Sequence, residues 1–156
     1  MPINADVLLC SAALDQGGAV SMLGLGWQVR PPDAIAGEAI VVLLQVPRSE
    51  EGSVAVRLDL LTYEDESLVE VAPPNGPGPM TFSAEITVAG RRDLGLKAPL
   101  VATFPLNLQP YPLEAGREFL WRLYVNGKTR REWTAPFRTM TSDERALLSM
   151  PAQDQP

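Results

Sequence analysis

Apolar and polar residues alternate with a period of two along most of this chain. Met80, Phe82, Ala84, Ile86 and Val88 interleave with Thr81, Ser83, Glu85 and Thr87, the pattern of a strand with one face on a core and one in water. Val54, Val56, Leu58 and Leu60 repeat it against Ala55, Arg57 and Asp59, and Leu100, Ala102, Phe104, Leu106 and Leu108 repeat it again. Pro105, on the opposite parity, places that last segment at a sheet edge or a bulge. Ala39 to Val46 (AIVVLLQV) is nearly unbroken and β-branched, as expected of a central strand covered on both faces.

Turn chemistry separates these runs. Ala5 to Ala13 predicts a strand, Asp15-Gln16-Gly17-Gly18 a turn, and Val20 to Arg30 a second strand stopped by Pro31-Pro32, together a hairpin. A short strand is expected at Leu68 to Val71. Pro73 to Pro79, with four prolines and two glycines, reads as a surface crossover between sheets. A polar connection follows at Arg91-Arg92-Asp93. The closing hairpin runs from Phe119 to Phe137 around Asn126-Gly127. A two-residue turn there pairs Val125 with Lys128 and sets Trp121 beside Glu132, out of phase. An odd loop with Gly127 as a left-handed bulge keeps Phe119, Trp121, Leu123 and Val125 on one face with Trp133, Ala135 and Phe137, and is the expected solution. Thr141 to Glu144 has capping-box spacing before Leu147 and Leu148, predicting a short helix over 141–150, with 151–156 as a disordered tail.

About nine short strands, one terminal helix and no internal repeat predict an all-β fold: an antiparallel β-sandwich, immunoglobulin-like or jelly-roll-like, in a single domain over residues 1–140. A small closed barrel is the alternative.

At the first hairpin the chain carries a resemblance. Ala5 to Trp27 (ADVLLCSAALDQGGAVSMLGLGW) is similar to the opening of a bacterial family of small all-β proteins known only as a domain of unknown function. Members of that family begin with an apolar strand ending in Cys-Asp, a Gly turn and a strand ending in Leu-Gly or Ile-Gly. Ser11 stands where that pattern carries Asp. The resemblance implies a small all-β fold and supplies no activity.

The 156 residues contain no histidine and one cysteine, Cys10, which removes most acid-base, nucleophilic and transition-metal chemistry. Cys10, inside an apolar strand, is expected to be a buried packing residue. No segment approaches the roughly 20 apolar residues that span a bilayer, and the first residues lack the basic start of a secretory signal. The expected location is the cytoplasm, with Cys10 reduced. No cofactor is expected and no metal set is seen.

The net charge of −6 argues against nucleic-acid binding. Residues 1–90 hold 3 basic against 12 acidic side chains, and residues 91–156 hold 10 against 7. The asymmetry fits solvated faces of either sign, attraction between subunits, or an acidic partner protein. Arg122, Arg130 and Glu132 lie on one face of the last hairpin, with Lys128 at its turn and Arg131 on the tryptophan parity. They form the one dense basic group and candidate binding residues.

Other motifs admit two readings. Gly24-Leu25-Gly26-Trp27 lacks the third glycine and the Lys of a phosphate loop, and fits a bulge or close backbone approach. Glu64-Asp65-Glu66 is a solvated connection, a calcium loop lacking the usual glycine, or half of a carboxylate pair. Trp27, Trp121 and Trp133 are core or a stacking platform, and Trp27 is the candidate ligand contact among them. The expected function is a non-catalytic interaction or structural module that meets a protein partner or a second copy of itself. A small-molecule or carbohydrate binder and a carboxylate-dependent hydrolase are the alternatives.

Overall fold

The computed structural model describes residues 2–17, 19–71, 78–90 and 97–151. Among them are twelve strands: β1 Asn4–Cys10, β2 Ala12–Asp15, β3 Val20–Leu23, β4 Val29–Arg30, β5 Ala39–Val46, β6 Gly52–Thr62, β7 Glu70–Val71, β8 Gly78–Pro79, β9 Thr81–Val88, β10 Leu100–Asn107, β11 Glu118–Val125 and β12 Thr134–Thr139. One helix, α1 Ser142–Ser149, follows. Three of the strands have only two residues, and the hairpin near the start is separated from β1 by a break at Ser11. The count therefore exceeds the nine expected from the pattern.

The strands form an all-β stack, not a closed barrel. A three-stranded sheet in the order β1-β5-β10 lies over a five-stranded sheet in the order β4-β12-β11-β6-β9. The pairings are antiparallel except where Arg138 and Thr139 of β12 run parallel to Val29 and Arg30 of β4. Between the sheets, Val7, Leu9, Ile40, Val42 and Leu44 meet Val56, Leu58, Leu60, Trp121, Leu123 and Phe137 in one apolar core. The alternation predicted for β6 holds: even-numbered residues Val54 to Leu60 are buried, while Ala55 and Arg57 face solvent.

β5 is central, as its composition predicted, and the other half of its cover is local. β2 and β3 fold back over the outer face of the small sheet, so Ala39 and Val41 are enclosed by Cys10, Ala13, Val20 and Met22. The Asn107 side chain clasps this ribbon by accepting from the Ala13 N–H at 3.2 Å and donating to its carbonyl at 2.9 Å. The second strand does not continue to Arg30. It ends at Leu23, because Gly24 (φ +64°) passes so close to Ser11 that any Cβ there would collide with its side chain. The chain then crosses to the large sheet through Trp27.

Two further expectations are corrected. The proline-rich segment is not a crossover between sheets, since β6 and β9 on either side of it are neighbours in the same sheet, and Gly78–Pro79 pairs with Glu70–Val71. The remainder of that segment and the Arg91-Arg92-Asp93 connection lie outside the described residues, as does the tail from residue 152. At the last hairpin, Asn126 (φ +49°) and Gly127 (φ +75°) do form a two-residue turn closed by Val125 and Lys128. The phase is repaired afterwards. Thr129 to Glu132 are looped out of the return strand, so Trp121 pairs with Ala135 and Phe119 with Phe137. The predicted faces are right and the predicted loop is wrong.

α1 carries the predicted capping box. Thr141 Oγ1 accepts from the Glu144 N–H, and the Glu144 carboxylate accepts from the Thr141 N–H. Arg138 donates to both oxygens of that carboxylate, at 2.8 and 3.0 Å. The guanidinium, with the Thr141 amide, holds the Glu144 carboxyl down to about 2. Because the folded value is depressed, this anchorage is complete above the ordinary glutamate value near ~4.3 and weakens as pH falls toward about 2. A carboxyl-detected NMR titration is expected to place the Glu144 midpoint near 2, with the Thr141 amide shift following it; a midpoint at the ordinary value would mean that the Arg138 pair does not form.

Candidate interaction surfaces

The basic group predicted from sequence is divided by the hairpin's inserted loop. Arg122 donates from both terminal nitrogens to Glu66, at 2.6 and 2.7 Å, which lowers the Glu66 carboxyl and raises the arginine. Arg130 stacks on the Trp133 ring at 5.0 Å and lies 4.0 Å from Glu132. Lys128 and Arg130 do come together, beside Pro2, Ile3 and Glu50, around a cleft of about 270 Å³. Arg131 is exposed in the inserted loop, where its carbonyl accepts from Thr134 Oγ1. The site residues thus split into a tip pair, Lys128 and Arg130, with Arg131 near it, and an Arg122 committed elsewhere.

Two ion pairs join the two parts of the chain. Arg122 pairs with Glu66, and Arg145 with Asp33 at 2.8 Å, so basic residues of the second part meet acids of the first. Surface pairs of this kind contribute little stability.

The tryptophans do not form a platform. Trp121 and Trp133 are buried in the core, and half-buried Trp27 packs edge-on to Phe137 at 5.3 Å while its Nε1–H donates to the Cys10 carbonyl at 3.0 Å. Cys10 is enclosed, and burial pushes its thiol up, away from the thiolate needed for nucleophilic work. A cleft of about 610 Å³ is lined in part by Asp65, Glu70 and Glu114. Hydroxyls of Thr62 and Ser67 donate to Asp65 and hold it down to about 2, opposite to the shift a general acid needs. Glu114 pairs with Arg117 at 2.8 Å. Among the described residues no group of three or more potential ligands is placed to hold a metal.

Two features escaped the sequence. One is a buried ionic cluster: Arg30 and Glu38 are 2% and 5% exposed, with Arg30 Nε 3.0 Å from Glu38 Oε1 and its guanidinium 4.4 Å above the Tyr111 ring. It lies under the surface and ties β4 to the segments that lead into β5 and out of β10, at one end of the small sheet.

The other is an opening along one side of the sandwich. On the β1 side the chain itself closes the gap, with the Gly26 N–H donating to Leu9 and Trp27 spanning the sheets. On the opposite side, β9 and β10 approach each other, yet their core-facing residues Phe82, Ala84, Ile86, Leu100, Phe104 and Leu106 are only half-buried. Their counterparts on β5, β6 and β11 are enclosed. One end of this seam is pinched where Arg48 donates to the Ala98 carbonyl and packs close to Gly90. Pro105 on β10 was the one sequence signal of this open edge. A separate apolar exposure, Leu14, Leu23 and Leu25, lies on and beside the outer face of the β2–β3 ribbon.

Among the described residues no helix is long and apolar enough to cross a membrane. No protein-family model matches the chain, and no curated protein matches it.

Proposed function

We propose that this chain is a non-catalytic β-sandwich module of the cytoplasm that works through protein contacts, and that its contact surface is the open β9/β10 side, not the basic hairpin. One observation carries this reading: the seam's core-facing side chains are half-covered while those of the neighbouring strands are enclosed. Apolar surface left open along two adjacent strand edges is what a protein-binding site offers. The chemistry supports the non-catalytic half of the proposal, since the buried Cys10 thiol is raised and the Asp65 carboxyl is depressed. A single buried thiol also suits a reducing compartment. Membership of the bacterial family resembled by Ala5 to Trp27 rests on that opening and adds no activity.

A photo-crosslinking residue placed at Thr87, exposed on β9, tests this in cells making the full chain; Lys128, exposed at the hairpin turn, is the comparison. Polypeptide adducts are expected at Thr87 and not at Lys128. Adducts at Lys128 alone would move the surface to the hairpin, and none at either position would sink the contact-module reading.

A further inference from the structure

Resting on that reading, we infer that the occupant of the open side is a second copy of this chain, joined β9 to β9 in antiparallel fashion about a two-fold axis at Ala84. The edges differ in what they can accept. β10 is interrupted by Pro105, which donates no hydrogen bond, and β12 carries Pro136 beside the two-residue β4. β9 is eight residues long, without proline, lysine or bulge, and among the described residues it has a strand on one side only. Of the devices by which proteins discourage edge pairing it carries one, the charged Glu85.

The hydrogen-bond parity of β9 fixes which groups face outward. The Leu60 N–H donates to the Met80 carbonyl at 2.9 Å, and the register continues through Leu58 with Phe82 and Val56 with Ala84. In an antiparallel ladder such pairs alternate with non-bonded ones, so the N–H and C=O of Thr81, Ser83, Glu85 and Thr87 point away from β6. A second β9 must bond to these four residues.

One register suits them. Centring on Glu85 sets two like charges opposite each other, and centring on Ser83 runs Thr87 against Pro79. Centring on Ala84 pairs Ser83 with Glu85 and Thr81 with Thr87 of the other copy, using the whole outward ladder. It also sets Ala84 opposite itself at a close, non-bonded position that suits a small side chain, and Phe82 opposite Ile86 on the core side. The row of Arg57 and Ser83 continues into Glu85 of the second copy, but Arg57 is held at 3.3 Å by Asp59 and stacks on Tyr124 of β11, and Ser53 donates to Glu85, so the register rests on its hydrogen bonds and side-chain sizes and not on charge. Below the joined sheet, half-covered Phe82, Ile86, Leu100 and Phe104 of the two copies face one another.

The test uses the full chain in sedimentation and light scattering. A dimer is expected, and Glu85→Pro should raise its dissociation constant about a hundredfold, because symmetry removes two interstrand hydrogen bonds at once. Circular dichroism checks that the variant is folded. Ala84→Cys should oxidise to a covalent dimer, which only the Ala84-centred register permits. Leu23→Asp, on the rival apolar patch, should leave association unchanged. A chain monomeric throughout, or a dimer that survives Glu85→Pro but is lost in Leu23→Asp, would overturn the proposal. A Thr87 adduct with a different polypeptide would overturn the second copy while leaving the contact-module reading intact, and the absence of any polypeptide adduct would end both.

Discussion

Arg30→Met is expected to lower the unfolding free energy by about 3–5 kcal/mol, the usual result of stranding one member of a buried charge pair. Arg30 is almost wholly enclosed, and besides its contact with Glu38 it donates to the carbonyls of Pro31, Asp33 and Tyr111 at 2.8 to 3.0 Å. Methionine fills much of the volume but satisfies none of these groups. Against a typical stability of about 5–15 kcal/mol the loss is large, and urea unfolding will read it directly. Arg30→Met with Glu38→Leu should recover part of the loss, since the uncompensated carboxylate is gone while three carbonyls stay without their donor. Burial already pushes the Glu38 carboxyl up against the pull of the guanidinium. In Arg30→Met the largest downward pull is gone, leaving burial opposed only by Tyr111. A carboxyl whose folded value is raised binds its proton more tightly in the fold, so this variant loses stability as pH rises through the ordinary carboxylate range and regains it on acidification. A single variant within about 1 kcal/mol of the parent would refute the assignment of Arg30 as the tie between β4 and the Tyr111 segment.

Trp121→Ala should cost a comparable amount, about 3–5 kcal/mol. The side chain is 0% exposed, on the central strand of the large sheet, paired with Leu60 on one side and Ala135 on the other, with the Phe82 ring 6.0 Å away. Neighbours held in two ladders cannot collapse into the hole. Trp121→Phe should cost much less, about 1–2 kcal/mol, because it also removes an indole N–H that has no acceptor among the described residues. Equal losses for the two variants would show that the site tolerates no change of shape and that the orphan N–H carries no penalty.

The faces of the strands were legible in the sequence because period two is a local property. Val54 to Leu60, Met80 to Val88 and the tryptophan face of the last hairpin fall where the pattern puts them. Parity cannot tell one extra residue from three, and so the looped-out Thr129 to Glu132 was invisible. For the same reason Arg122 and Arg130 share a parity without sharing a surface. Arg30 was hidden differently. An arginine at the end of an apolar run, just before Pro31-Pro32, reads as a solvated strand end, and its burial depends on Glu38 and Tyr111 arriving from other parts of the chain. The β9/β10 opening follows from strand order, which single-strand patterns do not encode; only Pro105 hinted at it.

The parallel contact of Val29 and Arg30 with Arg138 and Thr139 sets a schedule for synthesis. The early strand must wait for roughly 110 further residues, about 5 to 20 s at ordinary ribosome speeds, before its sheet partner exists. Until β11 and β12 emerge, the nascent polypeptide holds apolar strands without their lid, so its dependence on holding chaperones should be greatest just before residue 139 leaves the ribosome, and a stop anywhere ahead of that residue should send it to proteolysis.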